Sequence, residues 1–514
     1  MRKSRVPQAE QDMPSATAQT TPAHADGADN ADGQSPQASP HQPRPDRAVH
    51  QLVDHMAHFE VFTDKGGTAY IAVPVNGHVE YLEVEGPAFG YYLDRTSYTR
   101  WQRSLSDSQK DSVIGVVVGR AMFDSPSYSV HCRVAKAGDT LYVDLGTPDW
   151  SVVEITPTGW QVLPVSPVRF RRNKATAALP VPEHGGSLSD LRPFICARDE
   201  DFLVILAFIL ACFRSTGPYP IFEIVGEQGG AKSTVTRLIQ RLVDPTTASG
   251  RGQAKSEQDL AIAAHHRWLI AWDNCSDISH DMSDVLCRLS TGGTFATRTL
   301  YSDAGETSLE YCRPCVLNGI ANLARRSDLL DRCWSVEVQR IPDHARLKEE
   351  DFWAAFNVVA PRIFGAVCDA LATALREEPT LTLKTTQRLA DAERWACAGA
   401  TVGGWTPERV QSSLRGRQIA GLYRAVDEYP ELWSQLQRLA ASGWAGSVPE
   451  LMTATGQTGS HSTFGGLLKR LRPAFNGLGV DVEPFRQGHE SIRGYRVTRG
   501  VGIVGTVGTE DEEV

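Results

Sequence analysis

Apolar and polar residues alternate with a period of two at the start of the patterned part of the chain. The stretches "FEVFT", "TAYIAVPV" and "HVEYLEV" lie between residues 59 and 84, and turn-forming residues separate them. This pattern predicts a small meander of strands. We expect helices from Gly86 to Trp101 and from Asp107 to Phe123, followed by two more hairpins. Residues 50–182 therefore form a predicted N-terminal α+β domain, to which we assign no chemistry.

A continuous apolar run, "FLVILAFILACF" from Phe202 to Phe213, follows this region. A helix needs about 20 apolar residues to cross a bilayer, so the run is too short. We interpret it as a buried helix and expect no membrane partner.

The segment "IFEIVGEQGGAKSTVTRLIQRLVD", Ile221 to Asp244, predicts strand, glycine-rich loop and helix in succession. It fits the phosphate-loop pattern G-x-x-x-x-G-K-[ST] except at Ala231, where the last glycine is expected. We expect the backbone of Ala231 near the right-handed region, where a methyl group costs little. In such a loop, backbone N–H groups and the helix N-terminus surround phosphates. The predicted nucleotide-binding residues are Gly226, Glu227, Gln228, Gly229, Gly230, Ala231, Lys232, Ser233 and Thr234.

Two later strands end in polar side chains. "RWLIAWDN" ends its apolar run at Asp273, where a carboxylate can hold the magnesium shell, although an ordinary loop aspartate is the alternative. "RPCVLNGIANLARRSDLLDRCWSVEV" carries Asn318 at the end of a strand and Arg332 before the next one. An asparagine there can contact the attacking water or the γ-phosphate, and an arginine can stabilise transition-state charge.

The order and spacing of these motifs resemble the superfamily 3 helicases and the ATPase portion of phage and plasmid primase-helicases, within the AAA+ class. The loop resembles bacterial mobile-element ATP-binding proteins that carry "GEQG-x-AKST". The resemblance covers about Leu203 to Ile341. It implies ATP and Mg²⁺ as cofactors and a homo-oligomeric ring. It also implies roles for Lys232 and Ser233 at phosphate and magnesium, Asp273 in the metal shell, Asn318 as sensor and Arg332 as arginine finger.

The chain departs from this family at two places. Many relatives have a second carboxylate after the first, and this chain has Asn274, so hydrolysis is expected to be slow or to use another acid such as Asp277. The hairpin that grips single-stranded DNA in these helicases corresponds to Thr294 to Tyr311. Its predicted turn, residues 303–306, is acidic and argues against DNA translocation by this hairpin.

The C-terminal part reverses the charge balance of the chain. After a helical region at 346–440, residues 441–499 predict helix, helix and β-hairpin, which resembles a winged helix. Between Trp444 and Arg499 there are seven Lys/Arg and four acids, while the whole chain has a net charge of −9. This local surplus predicts DNA binding, and a protein-contact module is the alternative. The predicted DNA-binding residues are Lys469, Arg470, Arg472, Arg486 and Arg493.

Length and composition limit the number of domains and the compartment that we expect. The 514 residues suggest two to four domains, and ten scattered cysteines without a leader segment favour a reducing cytoplasm. Residues 1–49 and the acidic end at 500–514 are expected to be disordered. The basic cluster from Arg169 to Lys174 predicts either a phosphate site or, preferably, a solvated linker. The lone Cys312–Cys315 pair is a weak zinc signal, and His265 and His266 are interpreted as surface residues at a helix end.

Together these patterns predict an α/β fold with a P-loop NTPase core (AAA+-like) at 190–345, an N-terminal α+β domain and a C-terminal winged helix. The predicted function is ATP binding and hydrolysis by a helicase-like DNA-processing protein of phage or mobile-element replication. Its expected partner is single-stranded or forked DNA, with duplex DNA at the winged helix. The alternative is an ATP-gated DNA-binding regulator or defence component that does not unwind DNA.

Overall fold

The computed structural model describes residues 46–248, 252–298, 306–319, 323–383, 388–487, 492–500 and 502. The predictions for residues 1–45, for the turn at 303–305 and for nearly all of the acidic end lie outside these residues.

The first elements form a small layered unit with its own core. They are α1 (Arg47–Met56), β1 (Val61–Thr63), β2 (Ala69–Val75), β3 (His78–Glu83), α2 (Pro87–Trp101) and α3 (Asp107–Phe123). The three strands form an antiparallel sheet in the order β1-β2-β3, which confirms the meander. Helix α3 begins at a reciprocal capping box between Ser106 and Gln109. Apolar residues such as Ile71, Phe89 and Val117 form the core of this unit.

A second antiparallel sheet follows. The elements are β4 (Val130–His131), β5 (Val134–Ala137), β6 (Thr140–Asp144), β7 (Val152–Thr156), β8 (Gly159–Leu163) and β9 (Arg169–Phe170). Strands β5 to β8 pair in sequence order. Val143 and Ile155 of this sheet belong to one hydrophobic cluster with Phe208 and Phe364, which lie far along the chain. The predicted domain boundary at residue 182 therefore does not separate two cores.

The central region contains a four-stranded parallel sheet. Its elements are a 3-10 helix (Leu188–Phe194), α4 (Asp199–Ala211), β10 (Ile221–Val225), α5 (Lys232–Val243), α6 (Glu257–His266), β11 (Ile270–Cys275), α7 (His280–Thr291), β12 (Gly293–Arg298), β13 (Glu306–Tyr311), β14 (Cys315–Gly319), α8 (Ser327–Leu330) and β15 (Cys333–Glu337). The strand order is β11-β14-β10-β15. Strand β10 is central and buried at every position. Helix α4 is buried from Asp201 to Ala211, which confirms the buried helix expected from the apolar run.

The remaining elements are mostly helical. They are a 3-10 helix (Asp343–Ala345), α9 (Glu349–Glu377), α10 (Ala390–Ala400), a 3-10 helix (Thr401–Gly403), α11 (Pro407–Asp427), α12 (Pro430–Ser442), β16 (Trp444–Ser447), α13 (Val448–Ala454), α14 (His461–Gly477), β17 (Val480–Gln487) and β18 (Ile492–Arg499). Helix α9 is long and apolar enough to cross a membrane by length and composition alone, but 72% of its apolar window is buried inside the fold. Such burial is typical of a core helix in a folded domain.

The last helices and strands pack as a separate cluster. Strands β16, β18 and β17 form an antiparallel sheet in that order. Leu422, Trp433, Leu468 and Val497 share one core, so this unit includes the end of α11 and all of α12. It therefore begins before the predicted boundary at residue 441.

The three arginines of the basic cluster before α4 are paired with carboxylates, while Lys174 is exposed. Arg169 donates to Glu60 at 2.7 Å and lies 3.8 Å from the centre of the Tyr128 ring. Arg172 donates through Nε to Asp144 at 2.9 Å. Arg171 pairs with Glu83 at 3.6 Å, and both arginines are largely buried. The prediction of a solvated linker is wrong for these arginines, because carboxylates from earlier in the chain neutralise them.

Candidate functional site

The glycine-rich loop leaves the carboxyl end of β10 through two unusual backbone conformations. Gly226 has φ of +155° and Gly229 has φ of +86°. A Cβ at Gly226 would lie 2.6 Å from the carbonyl oxygen of Val338, so only glycine fits beside β15. The turn closes with the N–H of Gly230 donating to Glu227 at 3.1 Å. The sequence pattern thus produces the strand, loop and helix that we expected.

Ala231 adopts the left-handed conformation, with φ of +58° and ψ of +25°. Our expectation of a right-handed backbone at this position was wrong. Its Cβ approaches the following carbonyl oxygen, which costs an L-residue roughly 1–2 kcal/mol. The site therefore carries local strain where the usual pattern has an unstrained glycine.

Lys232 begins α5 and folds back over the loop. Its ammonium donates to the carbonyl oxygens of Gly226 at 2.7 Å and Glu227 at 2.8 Å. Partial burial lowers the pKa of Lys232 from its ordinary value. The ammonium thus lies inside the curve of the loop, where it can contact an anion held by the backbone.

Ser233 and Asp273 meet at the carboxyl edge of the parallel sheet. The Ser233 hydroxyl donates to Oδ1 of Asp273 at 2.7 Å. Strand β11 has a register shift between Trp272 and Cys275, and Asn274 within it has φ of +58°. This irregularity directs the half-buried Asp273 towards α5 and leaves Asn274 exposed. Two distant segments are thereby joined at one pair of oxygen atoms.

Asn318 lies at the end of β14, between the strands that carry the loop and Asp273. It is 1% exposed. Its amide donates to Thr236 Oγ1 at 2.7 Å, and its carbonyl oxygen accepts from the backbone N–H of Asn274 at 2.8 Å. Both ends of the side chain therefore hold protein groups in place. Thr236 is not among the residues predicted from the sequence. Its position, a polar residue on the buried face of the amphipathic helix α5, could have pointed to it.

Glu223 is a second residue that the sequence analysis missed. It is 2% exposed within β10. Its carboxylate accepts from the backbone N–H groups of Leu323 and Ala324, at 2.6 and 3.0 Å, and from Ser335 Oγ at 2.6 Å. A lone carboxylate inside the apolar strand "IFEIV" was its signal. Glu223 therefore holds the segment after β14 against β10, the strand that leads into the glycine-rich loop.

A cavity of about 690 Å³ adjoins the loop. Its wall includes Gly229 and Ala231 on one side and the apolar side chains of Phe194, Ile341 and Phe352 on the others. Arg346 also lines it. A Cβ at Gly229 would lie 3.3 Å from Arg346 Nη2, so this guanidinium lies over the loop. The cavity combines an apolar chamber with a basic rim.

Arg332 lies away from these groups. It precedes β15, whose first residue Cys333 is level with Ile221 at the amino end of β10. Five residues of strand, about 16 Å, therefore separate it from the loop edge. Arg332 is 9% exposed, donates to the Asp328 carbonyl at 2.6 Å, and its buried Nε has no hydrogen-bond partner among the described residues. It cannot reach the loop of its own chain from this position.

The C-terminal basic residues lie on two different surfaces. Lys469, Arg472 and Arg486 line a cavity of about 950 Å³ between α14 and the β17–β18 hairpin. Arg470 instead donates to the Tyr429 hydroxyl at 2.7 Å and lines a separate cavity. The backbone of Arg493 is level with Arg486, and its side chain lies outside the described residues. The structure thus brings three of the five predicted residues together.

No group of three or more His, Cys, Asp or Glu side chains that could hold a metal ion occurs in the described part of the chain. Cys315 is buried in β14 and Cys312 is half-buried. The oxygen pair of Ser233 and Asp273 involves a single acidic residue, so this finding does not concern it.

His265 is half-buried and lies 3.2 Å from Glu83, so it is a contact between regions and not a free surface residue.

Three comparisons with known proteins bear on the chain. Residues 187–404 match the family model described as actinomycete integrative conjugative element replication protein. No curated protein sequence gives a significant match. Among solved structures, the apo structure of NrS-1 C terminal region (305-718) is 12% identical, with a TM-score of 0.38 over 88% of this chain and 99% of that one. The A form apo structure of the same region is 10% identical, with a TM-score of 0.38 over 88% of this chain and 98% of that one.

The family match covers the parallel sheet, the glycine-rich loop and the helices α9 and α10. The structural likeness is too weak to carry an argument about the site. From the similarity of residues 187–404, the chain is identified as a replication-related protein of a mobile element.

Proposed function

We propose that this protein binds Mg-ATP at the loop before α5 and hydrolyses it to drive DNA processing during replication of a mobile element. The observation that carries the proposal is the 2.7 Å hydrogen bond between Ser233 Oγ and Asp273 Oδ1. It joins the two side chains that a phosphate loop and a magnesium carboxylate would require, although 40 residues separate them in sequence.

The donor set suits magnesium and phosphate. Hydroxyl and carboxylate oxygens are ligands that Mg²⁺ accepts, and the ion neutralises charge on the phosphates when it is bound. Lys232 is placed to exchange its two carbonyl partners for phosphate oxygens. Arg346 over Gly229 adds a second cation beside the loop. The apolar part of the neighbouring cavity, at Phe194, Ile341 and Phe352, is suited to a nucleoside base.

Hydrolysis is proposed to need a neighbouring copy of the chain. Arg332 is too far from its own loop, but it could serve the nucleotide of an adjacent subunit in a ring. The buried Nε of Arg332 has no hydrogen-bond partner among the described residues, so an outward movement of the side chain would break no hydrogen bond at this atom.

DNA contact is proposed for the C-terminal unit. The unit has the helix, helix and hairpin order of a winged helix, and Lys469, Arg472 and Arg486 converge between α14 and the hairpin. Basic side chains on and beside one helix provide phosphate contacts for DNA. The ten cysteines are all unpaired, and we propose a reducing cytoplasm as the compartment.

A second candidate function is an ATP-gated DNA-binding regulator that does not unwind DNA. Two observations favour it. The exposed Asn274 occupies the position of a second carboxylate. Asp277, the nearest substitute acid that we considered, lies 3.7 Å from Arg325. Either feature would slow the activation of water without weakening nucleotide binding.

The proposal is tested with purified wild-type protein, Lys232→Ala and Asp273→Ala, with Lys136→Ala as a matched control at an exposed lysine. We expect Mg-ATP binding by calorimetry in wild type and Lys136→Ala, and a loss of at least 30-fold in affinity in Lys232→Ala. ATP-dependent strand displacement on a forked duplex supports the first function. DNA binding with ATP binding but no displacement supports the second, and equal ATP affinity in all four proteins would refute both.

A further inference from the structure

The cavity that Arg470 lines lies between the parallel-sheet region and the C-terminal unit. Its volume is about 260 Å³. The segment after β11, the start of α7, the segment after β14 and helices α11 and α14 all contribute to its wall. It shares no lining residue with the cavity beside the glycine-rich loop. It is therefore separate from the proposed nucleotide site.

Charged side chains of both signs line the cavity. Arg325, Arg326 and Arg470 line it, against the acids Asp277 and Glu428. Arg325 lies 3.7 Å from Asp277, and Arg326 donates to the His280 carbonyl at 2.9 Å. Arg326 also pairs with Asp284 at 2.6 Å. Since each guanidinium has five N–H donors, the contacts of Arg326 and Arg470 position these two side chains and leave donors for a ligand.

Ser283 supplies the observation that points to a ligand. It is 2% exposed, lines the cavity, and its Oγ has no hydrogen-bond partner among the described residues. Leaving a buried hydroxyl unpaired costs roughly 1–3 kcal/mol. Ser283 lies in the first turn of α7, after the cap residue Ser279, where the helix dipole is positive. A hydroxyl, a helix N-terminus and the guanidinium groups of Arg326 and Arg470 together favour an oxyanion.

Helix α14 links this cavity to the basic groove. Lys469 and Arg472 line the groove beside the hairpin, and Arg470 between them lines the cavity. One helix thus carries cations on two faces. A flexible polynucleotide that crosses α14 could place successive phosphates at both, whereas a rigid duplex could not bend into a cavity of this size.

We propose that this cavity binds a phosphate group, carried by the backbone of a single-stranded nucleic acid that leaves the α14 groove. The proposal goes beyond the proposed function and does not depend on ATP binding. It assigns Ser283 and Arg470 as binding residues and places the strand against the segment after β14, whose N–H groups Glu223 holds.

The experiment uses the full chain with Lys232→Ala as background, so that the glycine-rich loop does not contribute phosphate binding. Fluorescence anisotropy with a labelled oligothymidylate is measured over a range of KCl concentrations. Ser283→Ala is expected to weaken binding several-fold with no loss of thermal stability, because it breaks no hydrogen bond. Arg470→Gln should weaken it about tenfold and reduce the salt slope by about 0.7, the value for one phosphate contact on a single strand. Arg470→Lys should restore the slope.

Exposed residues of α12 supply the controls, Ser434→Ala and Arg438→Gln, which should change neither affinity nor slope. Inorganic phosphate is added as a competitor to identify the source of the anion. If inorganic phosphate competes with the oligonucleotide, and Ser283→Ala weakens this competition, the proposal is supported. If Ser283→Ala and Arg470→Gln bind the oligonucleotide like their controls, the proposal is refuted. It is equally refuted if inorganic phosphate binds at this site but never competes with the strand.

Discussion

The amide of Asn318 donates to Thr236 Oγ1 at 2.7 Å, across 82 residues of sequence. The Thr236 hydroxyl in turn donates to the carbonyl oxygen of Lys232 at 3.1 Å. At its other end, Asn318 holds the N–H of Asn274. One buried side chain therefore connects the helix that begins with Lys232 to the segment that follows Asp273.

Removal of this connection should cost stability. Asn318→Ala leaves the N–H of Asn274 and one acceptor position of Thr236 without partners, so we expect a loss of about 2–3 kcal/mol in the free energy of unfolding. Thr236→Val should cost about 1 kcal/mol, and the double mutant should lose less than the sum. Urea unfolding checks these values. Strict additivity would show that the two side chains are not coupled.

The strain at Ala231 predicts that a glycine at this position does not destabilise the fold, whereas a glycine inside a helix does. Ala231→Gly removes the left-handed cost but adds unfolded-state entropy, so we expect a change between zero and a gain of about 1 kcal/mol. Ala231→Val should lose about 2 kcal/mol. Ala355→Gly, at an exposed position inside α9, should lose about 1 kcal/mol and serves as the control. Equal losses from both glycine variants would contradict the left-handed backbone at 231.

Asn274 offers a direct test of slow hydrolysis. Asn274→Asp keeps a side chain that tolerates φ of +58° and places a carboxylate beside Asp273. We expect ATP turnover to rise about tenfold, within the range of general-base catalysis, with little change in ATP affinity. Asn274→Gln, which adds no charge, should not raise turnover. A rise in both variants would point to a backbone effect instead of base catalysis.

The way in which the stability of the fold changes at acidic pH should depend on Glu83. The hydrogen bond from His265 lowers the pKa of Glu83 from 4.5 to about 2, against the opposing effect of burial. Because the folded pKa lies below the unfolded one, this stabilisation is complete above pH 4.5 and is lost as the pH falls towards 2. Glu83→Gln should cost about 1–2 kcal/mol at pH 7, allowing for solvent screening, and much less near pH 2.

Stability measured from pH 2 to pH 7 checks this prediction, with Glu85→Gln as control, since Glu85 is an exposed carboxylate just beyond β3. A deficit in Glu83→Gln that does not change with pH would show that Glu83 titrates normally in the folded protein.

The strand, loop and helix around Lys232 could be predicted because each depends on local sequence. The apolar run of β10, the glycines and the spacing of Val235 and Leu238 act over a few residues. The pairing of Ser233 with Asp273 was also predictable, since parallel strands bring their carboxyl ends to one edge of the sheet.

Three other features could not be predicted from the sequence. Ala231 is left-handed because the closed loop dictates its backbone, and sequence preference alone suggested otherwise. Arg470 and Arg472 have the same charge, and only the packing of α14 directs them to different cavities. The buried acceptor role of Glu223 required knowledge of the segment a hundred residues later that it holds.

The parallel sheet and the hairpins before it also share a buried ion pair. Arg133, at the start of the second antiparallel sheet, donates to Asp244 Oδ1 at 2.9 Å, at the end of α5. The other oxygen of Asp244 accepts from the backbone N–H groups of Trp268 and Leu269, which lead into β11. An isolated fragment starting at the parallel sheet would keep the carboxylate but lose its counter-ion. A transplanted parallel-sheet region would therefore have to carry Arg133 along with Asp244 to keep this ion pair buried and neutral.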